Sequence, residues 1–75
     1  MPKLPRPTGA EMVRFLESQG FNVVRVHGSH HVLAKGALRT VVPVHASSTL
    51  RIGTLRGILR DIDMSPAEFA GRWHR

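Results

Sequence analysis

The sequence predicts an α+β domain ordered α-β-β-β-α, with a three-stranded antiparallel sheet and its helices gathered on one face. Three observations carry that reading. Three short runs rich in β-branched residues follow one another with only brief Gly-containing turns between them, which favours a meander. Leu55, Ile58, Leu59 and Ile62 form an i, i+3, i+4, i+7 stripe that has to be buried on the sheet. Thr8 with Glu11, and Ser65 with Glu68, have the spacing of helix-starting caps on either side of the strands.

The elements follow in order. Thr8 and Glu11 open a helix over about residues 9 to 19, with Met12, Val13 and Leu16 on its apolar stripe and Gly20 as its stop. The run from Phe21 to His27 is the first strand, Gly28-Ser29 the turn, and His30 to Lys35 the second strand. Gly36-Ala37 turns the chain again into a third strand from Arg39 to His45. Its Pro43 cannot donate to a ladder and so demands an edge position or a bulge. After Ala46-Ser47-Ser48 comes the striped helix, with Arg56 and Arg60 on another face. Ser65, Pro66 and Glu68 then start a short last helix that ends near Trp73.

Seventy-five residues accommodate one small domain over 1–75, with the three prolines of residues 1–7 favouring an extended arm. The 41% hydrophobic content suits a folded chain, and Phe15, Phe21, Phe69 and Trp73 fall where core packing uses them. Cysteine is absent, which removes disulfides and thiolate metal sites and fits a cytoplasmic protein. No apolar run approaches a membrane span, and the first seven residues lack the apolar core of a signal peptide.

Charge narrows the partner. Eleven Lys and Arg against five Asp and Glu give a net charge of +6. The distribution is more telling than the total. From Ser18 through Arg60 there is no carboxylate, yet that stretch holds six cations and four of the five histidines. Such a surface suits a polyanion, because a nearby Asp or Glu would repel phosphate. At its centre stands Gly28-Ser29-His30-His31, where histidine is the residue equipped to move a proton near neutral pH.

Three blocks in order resemble the HicA family of bacterial toxins, small ribonucleases that cut messenger RNA and are silenced by a cognate HicB antitoxin. Gly28-Ser29-His30-His31 is similar to the family's Gly-x-His segment, and Val41-Val42-Pro43-Val44-His45 to its third strand. Gly53 to Arg60, followed by Ser65-Pro66-Ala67-Glu68-Phe69, is similar to its second helix and the turn after it. The departures lie in connections: Ala34-Lys35-Gly36-Ala37 stands where a His-Pro-Asp-Gly turn is usual, and Arg51-Ile52-Gly53 where Lys-Pro-Gly is frequent. The resemblance implies a fold like the double-stranded-RNA-binding domain, a messenger RNA substrate, a HicB-like antitoxin partner and no cofactor. It also implies a single catalytic histidine, which falls on His30.

Strand alternation sets His30 with Val32 and Ala34, and His31 with Leu33 and Lys35. Because Lys35 is costly to bury, the expectation is that His31 faces solvent and His30 faces the helices. On residues alone a histidine there is a hydrogen-bonded structural group; the resemblance turns it into the catalyst. RNA carries its own nucleophile, the 2′-hydroxyl, so a base, an acid and cationic stabilisation suffice. His30 then transfers a proton, Lys35 or Arg39 offsets the developing charge, and Ser29 orients the phosphate. The second proton transfer is left among water, His31 and a lysine.

Arg56 and Arg60 read either as solvated charges or as phosphate contacts, and His31 as a further RNA contact. His45, after the proline strand, reads as a packing or turn residue, with substrate contact as the minority reading. An all-imidazole zinc site from His27, His30 and His31 is disfavoured, since three ligands would have to cross a tight turn, and no metal is expected. Two other functions stay open: a non-catalytic RNA-binding module of the same fold, and a basic protein that docks an acidic partner.

Overall fold

A computed structural model describes residues 4–73. Its order is α1 (Gly9–Ser18), β1 (Asn22–His27), β2 (His30–Lys35), β3 (Leu38–Pro43), α2 (Ile52–Asp61) and α3 (Pro66–Arg72). The strands form one antiparallel sheet in the order β1-β2-β3, and α1, α2 and α3 lie on one side of it. The expected α+β class and α-β-β-β-α order are therefore those of the molecule. Met1–Lys3 of the expected extended arm lie outside the described residues. The rest of that arm is tied down: the Pro7 carbonyl accepts from Leu50 N at 2.8 Å, and Arg6 donates to the Leu50 carbonyl at 3.0 Å.

Both expected capping boxes form. Thr8 accepts from Glu11 N, Glu11 accepts from Thr8 N, and Ser65 and Glu68 repeat the exchange at α3. These bonds satisfy amides that a helix start leaves without partners. They also hold the Glu68 carboxyl below its ordinary pKa, chiefly through the Ser65 N–H and then its hydroxyl. Gly20 ends the α1 region at φ 96°, a conformation that only glycine adopts cheaply.

Each hairpin turn has two residues and a positive-φ glycine first, Gly28 at 60° and Gly36 at 59°, which is the demand of a II′ turn. Pro43 sits at the end of β3, an edge strand, where its missing N–H costs no ladder bond. The third strand is shorter than expected: Val44 and His45 lie beyond it, although Val44 N still donates to the Ser29 carbonyl at 2.7 Å.

The core joins Met12, Phe15 and Leu16 of α1, Leu33 and Val42 of the sheet, Leu55, Ile58 and Leu59 of α2, and Phe69 of α3. All four residues of the predicted α2 stripe are buried, Ile62 as the helix C-cap. Phe15, Phe69 and Trp73 pack ring on ring with centroids 5.0 to 5.6 Å apart. Edge-on and tilted pairs of this kind are the favourable aromatic arrangements.

Candidate functional site

Residues directly opposite in an antiparallel pair project to the same face, so the register decides which side chains meet. Leu33 pairs with Thr40 and His31 with Val42, and Leu33, Thr40 and Val42 are all buried against the helices. His31 therefore belongs to the helical face. It is half-buried, and its Nδ1 is shielded from solvent without a hydrogen-bond partner among the described residues. His30 pairs with Pro43, lies on the opposite, open face and is exposed.

This reverses the expected assignment of faces. Lys35 does share the helical face, but its ammonium is not buried there. At the strand end it donates to the Gln19 carbonyl at 2.8 Å, off the C-terminus of α1, with its charge 6.0 Å from the Phe21 ring centroid. A long stem laid over apolar surface with a wet head removes the cost of burial on which the expectation rested.

The β1-β2 register adds a neighbour that the alternation pattern hid. His27 pairs directly with His30, and Arg25 pairs with Val32, so both stand on the open face. A bulge between Val23 and Arg25 makes this possible. It lets Val23 pair with Leu33 on the core side while turning Arg25 and His27 outward, the kind of re-aiming that bulges provide. Arg25 is diagonal to His30, about 7–8 Å away by the usual spacing of such pairs. It is a cation beside His30 that strand patterning alone does not single out, and the period-2 relation of Arg25 to His27 is its one available signal.

The other expected site residues are dispersed. Arg39 shares the open face but pairs with Ala34, four residues along β2 from His30, or about 13 Å. Ser29 occupies the turn between His27 and His30, and its carbonyl accepts from Val44 N. Arg56 and Arg60 are exposed on α2, on the helical side, where they line a shallow groove with Leu59, Met64 and Pro66. His31 is on the opposite sheet face from His27 and His30, so the three rings do not converge as metal ligands. Among the described residues no group of three or more His, Asp or Glu does.

Two grooves differ in chemistry. One runs from Pro43, the partner of His30, past His45, Ser48 and Thr49 to Arg51 and Thr54 at the start of α2. It is lined by hydroxyls, an imidazole and a guanidinium, with no carboxylate. The other, between α1 and α3, is lined by Glu11, Arg14, Phe15, Ser18, Gln19, Arg72 and Trp73, with no histidine among the described residues.

The profile of the family described as the HicA toxin of bacterial toxin-antitoxin systems matches residues 9–64. The chain belongs to the HicA toxin family. The match covers α1, the whole sheet and α2, and the α-β-β-β-α arrangement is compatible with the family's double-stranded-RNA-binding-domain-like fold. No curated protein sequence matches the chain. Membership gives this protein the role of a toxin and implies an antitoxin partner. No described helix is long and apolar enough to cross a membrane.

As a HicA-family toxin the molecule has a marked division of charge. Glu11, Glu17, Asp61, Asp63 and Glu68 all lie in the helices or their ends, and none lies in the sheet. Two of the five are occupied as helix caps, and Asp61 accepts from Thr40 Oγ1 at 3.0 Å. The open face thus presents Arg25, His27, His30 and Arg39 around Val32 and Val41 with no carboxylate among them.

Proposed function

We propose that this toxin is a metal-independent endoribonuclease that cleaves messenger RNA and thereby blocks translation, with His30 transferring a proton at the scissile phosphate. The observation that carries the reading is the exposed His30 at the head of β2, on a carboxylate-free face with Arg25 diagonal to it. An exposed imidazole can reach a backbone phosphate, and a neighbouring guanidinium offsets charge as the phosphorane forms. The groove from Pro43 to Arg51 and Thr54 offers the RNA strand a continuation with polar and cationic contacts. Attack by the 2′-hydroxyl explains a preference for RNA, since deoxyribose lacks that nucleophile.

The purified protein and its His30→Ala variant, incubated with single-stranded RNA and with DNA in chelator, test this. The wild type should cut RNA only, leaving a 2′,3′-cyclic phosphate or its hydrolysis product and a 5′-hydroxyl. The variant should fold, bind RNA and leave it intact. Loss of activity in chelator, or products bearing 5′-phosphate, overturns the mechanism. Binding without cleavage by the wild type makes the protein an RNA-binding module.

The antitoxin in this reading is a HicB-like protein whose acidic surface covers the open face. Complementary potential speeds such an association, and covering His30 excludes substrate and occupies the phosphate-binding cations together. Co-expression with the neighbouring small open reading frame should give a co-purifying complex without ribonuclease activity. A bound partner that leaves cleavage and growth arrest unchanged defeats this part of the proposal.

A further inference from the structure

We infer that His27 is a second catalytic residue, forming with His30 an acid–base pair that straddles the scissile phosphate. The inference rests on the ribonuclease reading above. What prompts it is a gap in the chemistry and a register that fills it. In-line transesterification needs two proton transfers, one from the attacking 2′-oxygen and one to the departing 5′-oxygen, and His30 alone supplies one.

The three alternatives considered from sequence fare poorly as the second group. His31 is on the far face of the sheet, half-buried beside Val42. Lys35 is on that same far face with its ammonium engaged by Gln19. Water is both a weaker acid and a weaker base near neutral pH than an imidazole, and so transfers a proton less readily. His27 is the residue directly opposite His30, on the same face and likewise exposed.

Cross-strand partners have Cβ atoms about 4.5–5.5 Å apart. Two imidazoles that rise from one edge at that spacing can lie on either side of a phosphate, as entering and leaving oxygens on opposite sides of phosphorus require. The two-residue Gly28-Ser29 turn fixes the pair, because any longer loop would loosen the register that sets His27 against His30. The bulge upstream places Arg25 beside them on the same face.

The step balances without an outside reagent. One neutral imidazole takes the 2′-hydroxyl proton as the O2′–P bond forms. The other, protonated, gives its proton to the 5′-oxygen as the P–O5′ bond breaks. The products are a 2′,3′-cyclic phosphate and a 5′-hydroxyl, and the two rings have exchanged protonation states. Proton exchange with water, or hydrolysis of the cyclic phosphate in the reverse sense, restores them.

The test compares wild type, His27→Ala, His27→Gln and His30→Ala on one RNA oligonucleotide and on its analogue with sulfur in place of the bridging 5′-oxygen at the cleavage site. A thiolate departs without being protonated, so the analogue needs the base but not the acid. On normal RNA both the His27 and His30 variants should lose about 10²–10⁴-fold in rate, the usual worth of a general acid or base. On the sulfur analogue one position should recover most of the wild-type rate and the other should not, which assigns acid and base. Retained folding of the exposed-site variants is checked by their urea midpoints.

Wild-type rates for both His27 variants beside an inactive His30→Ala overturn the pair and leave the ribonuclease reading standing. Recovery at neither position also overturns it, since a merely structural loss does not depend on the leaving group, and recovery at both overturns it because neither residue is then the base. A wild type that cuts neither substrate brings down the ribonuclease reading and the pair with it.

Discussion

At the scale of single residues, the site is held by contacts that are small in area but strict in geometry. Gly9, the first residue of α1, lies against the Pro43 backbone so closely that an added methyl would collide with the Pro43 carbonyl oxygen. Pro43 is the cross-strand partner of His30, so this close approach docks the helix start onto the end of β3 beside the histidine. Backbone cannot yield as a flexible side chain can. Gly9→Ala should therefore cost about 1–3 kcal/mol, as overpacking usually does, measured by urea denaturation. A stability equal to wild type would show that α1 and β3 are not in register here. The resemblance put His30 at the centre of the chemistry, whereas His27 and Arg25 are neighbours that only the paired register of β1 and β2 makes visible.

At the scale of elements, the helices were legible because their signals are local. Caps at Thr8 and Ser65, Pro66 at the first turn of α3 and the apolar stripe of α2 all act within a few residues, and each formed as its spacing predicts. Leu59 is 2% exposed in the core between α2 and the sheet. Leu59→Ala should destabilise by about 2–5 kcal/mol, and a calorimetric or urea measurement near zero would show α2 misplaced. The strands were legible as elements but less so in detail. Val44 and His45 read as strand by composition, yet the chain leaves the sheet at Pro43, where α1 closes over the end and no further partner is offered by β2. The Val23–Arg25 bulge has no glycine or proline to announce it, so nothing in the local sequence marks the change of face.

At the scale of the whole molecule, charge is segregated by layer. Carboxylates cap and flank the helices, while the charged and titratable groups of the open sheet face are cations and imidazoles, with no carboxylate. That polarity predicts different fates for Arg25 and Lys35, two cations of the same acid-free stretch. Arg25→Gln should weaken RNA binding and reduce the salt slope of log K by about 0.7, the share of one contact to single-stranded nucleic acid. Lys35→Gln should leave RNA affinity and its salt dependence unchanged while costing about 0.3–1 kcal/mol of stability, because its ammonium serves the C-terminal end of α1. Equal losses of RNA affinity in the two variants, followed by fluorescence anisotropy across a salt series, would contradict the layered arrangement.

By itself the sequence determined the helices, the strands and their order, the turn glycines, the acid-free stretch and the kinship with HicA toxins, since each is written in neighbouring residues or in short blocks at fixed spacing. Tertiary structure alone decided which face of β2 is open. Alternation separates His30 from His31 but does not say which of them the helices cover, and the charge of Lys35 pointed the wrong way because a long side chain at a strand end can lie on the covered face and still keep its head in water. Only pairing across strands, shifted by a bulge, then brought His27 and Arg25 to His30, because a register is a relation between distant segments and no single segment encodes it.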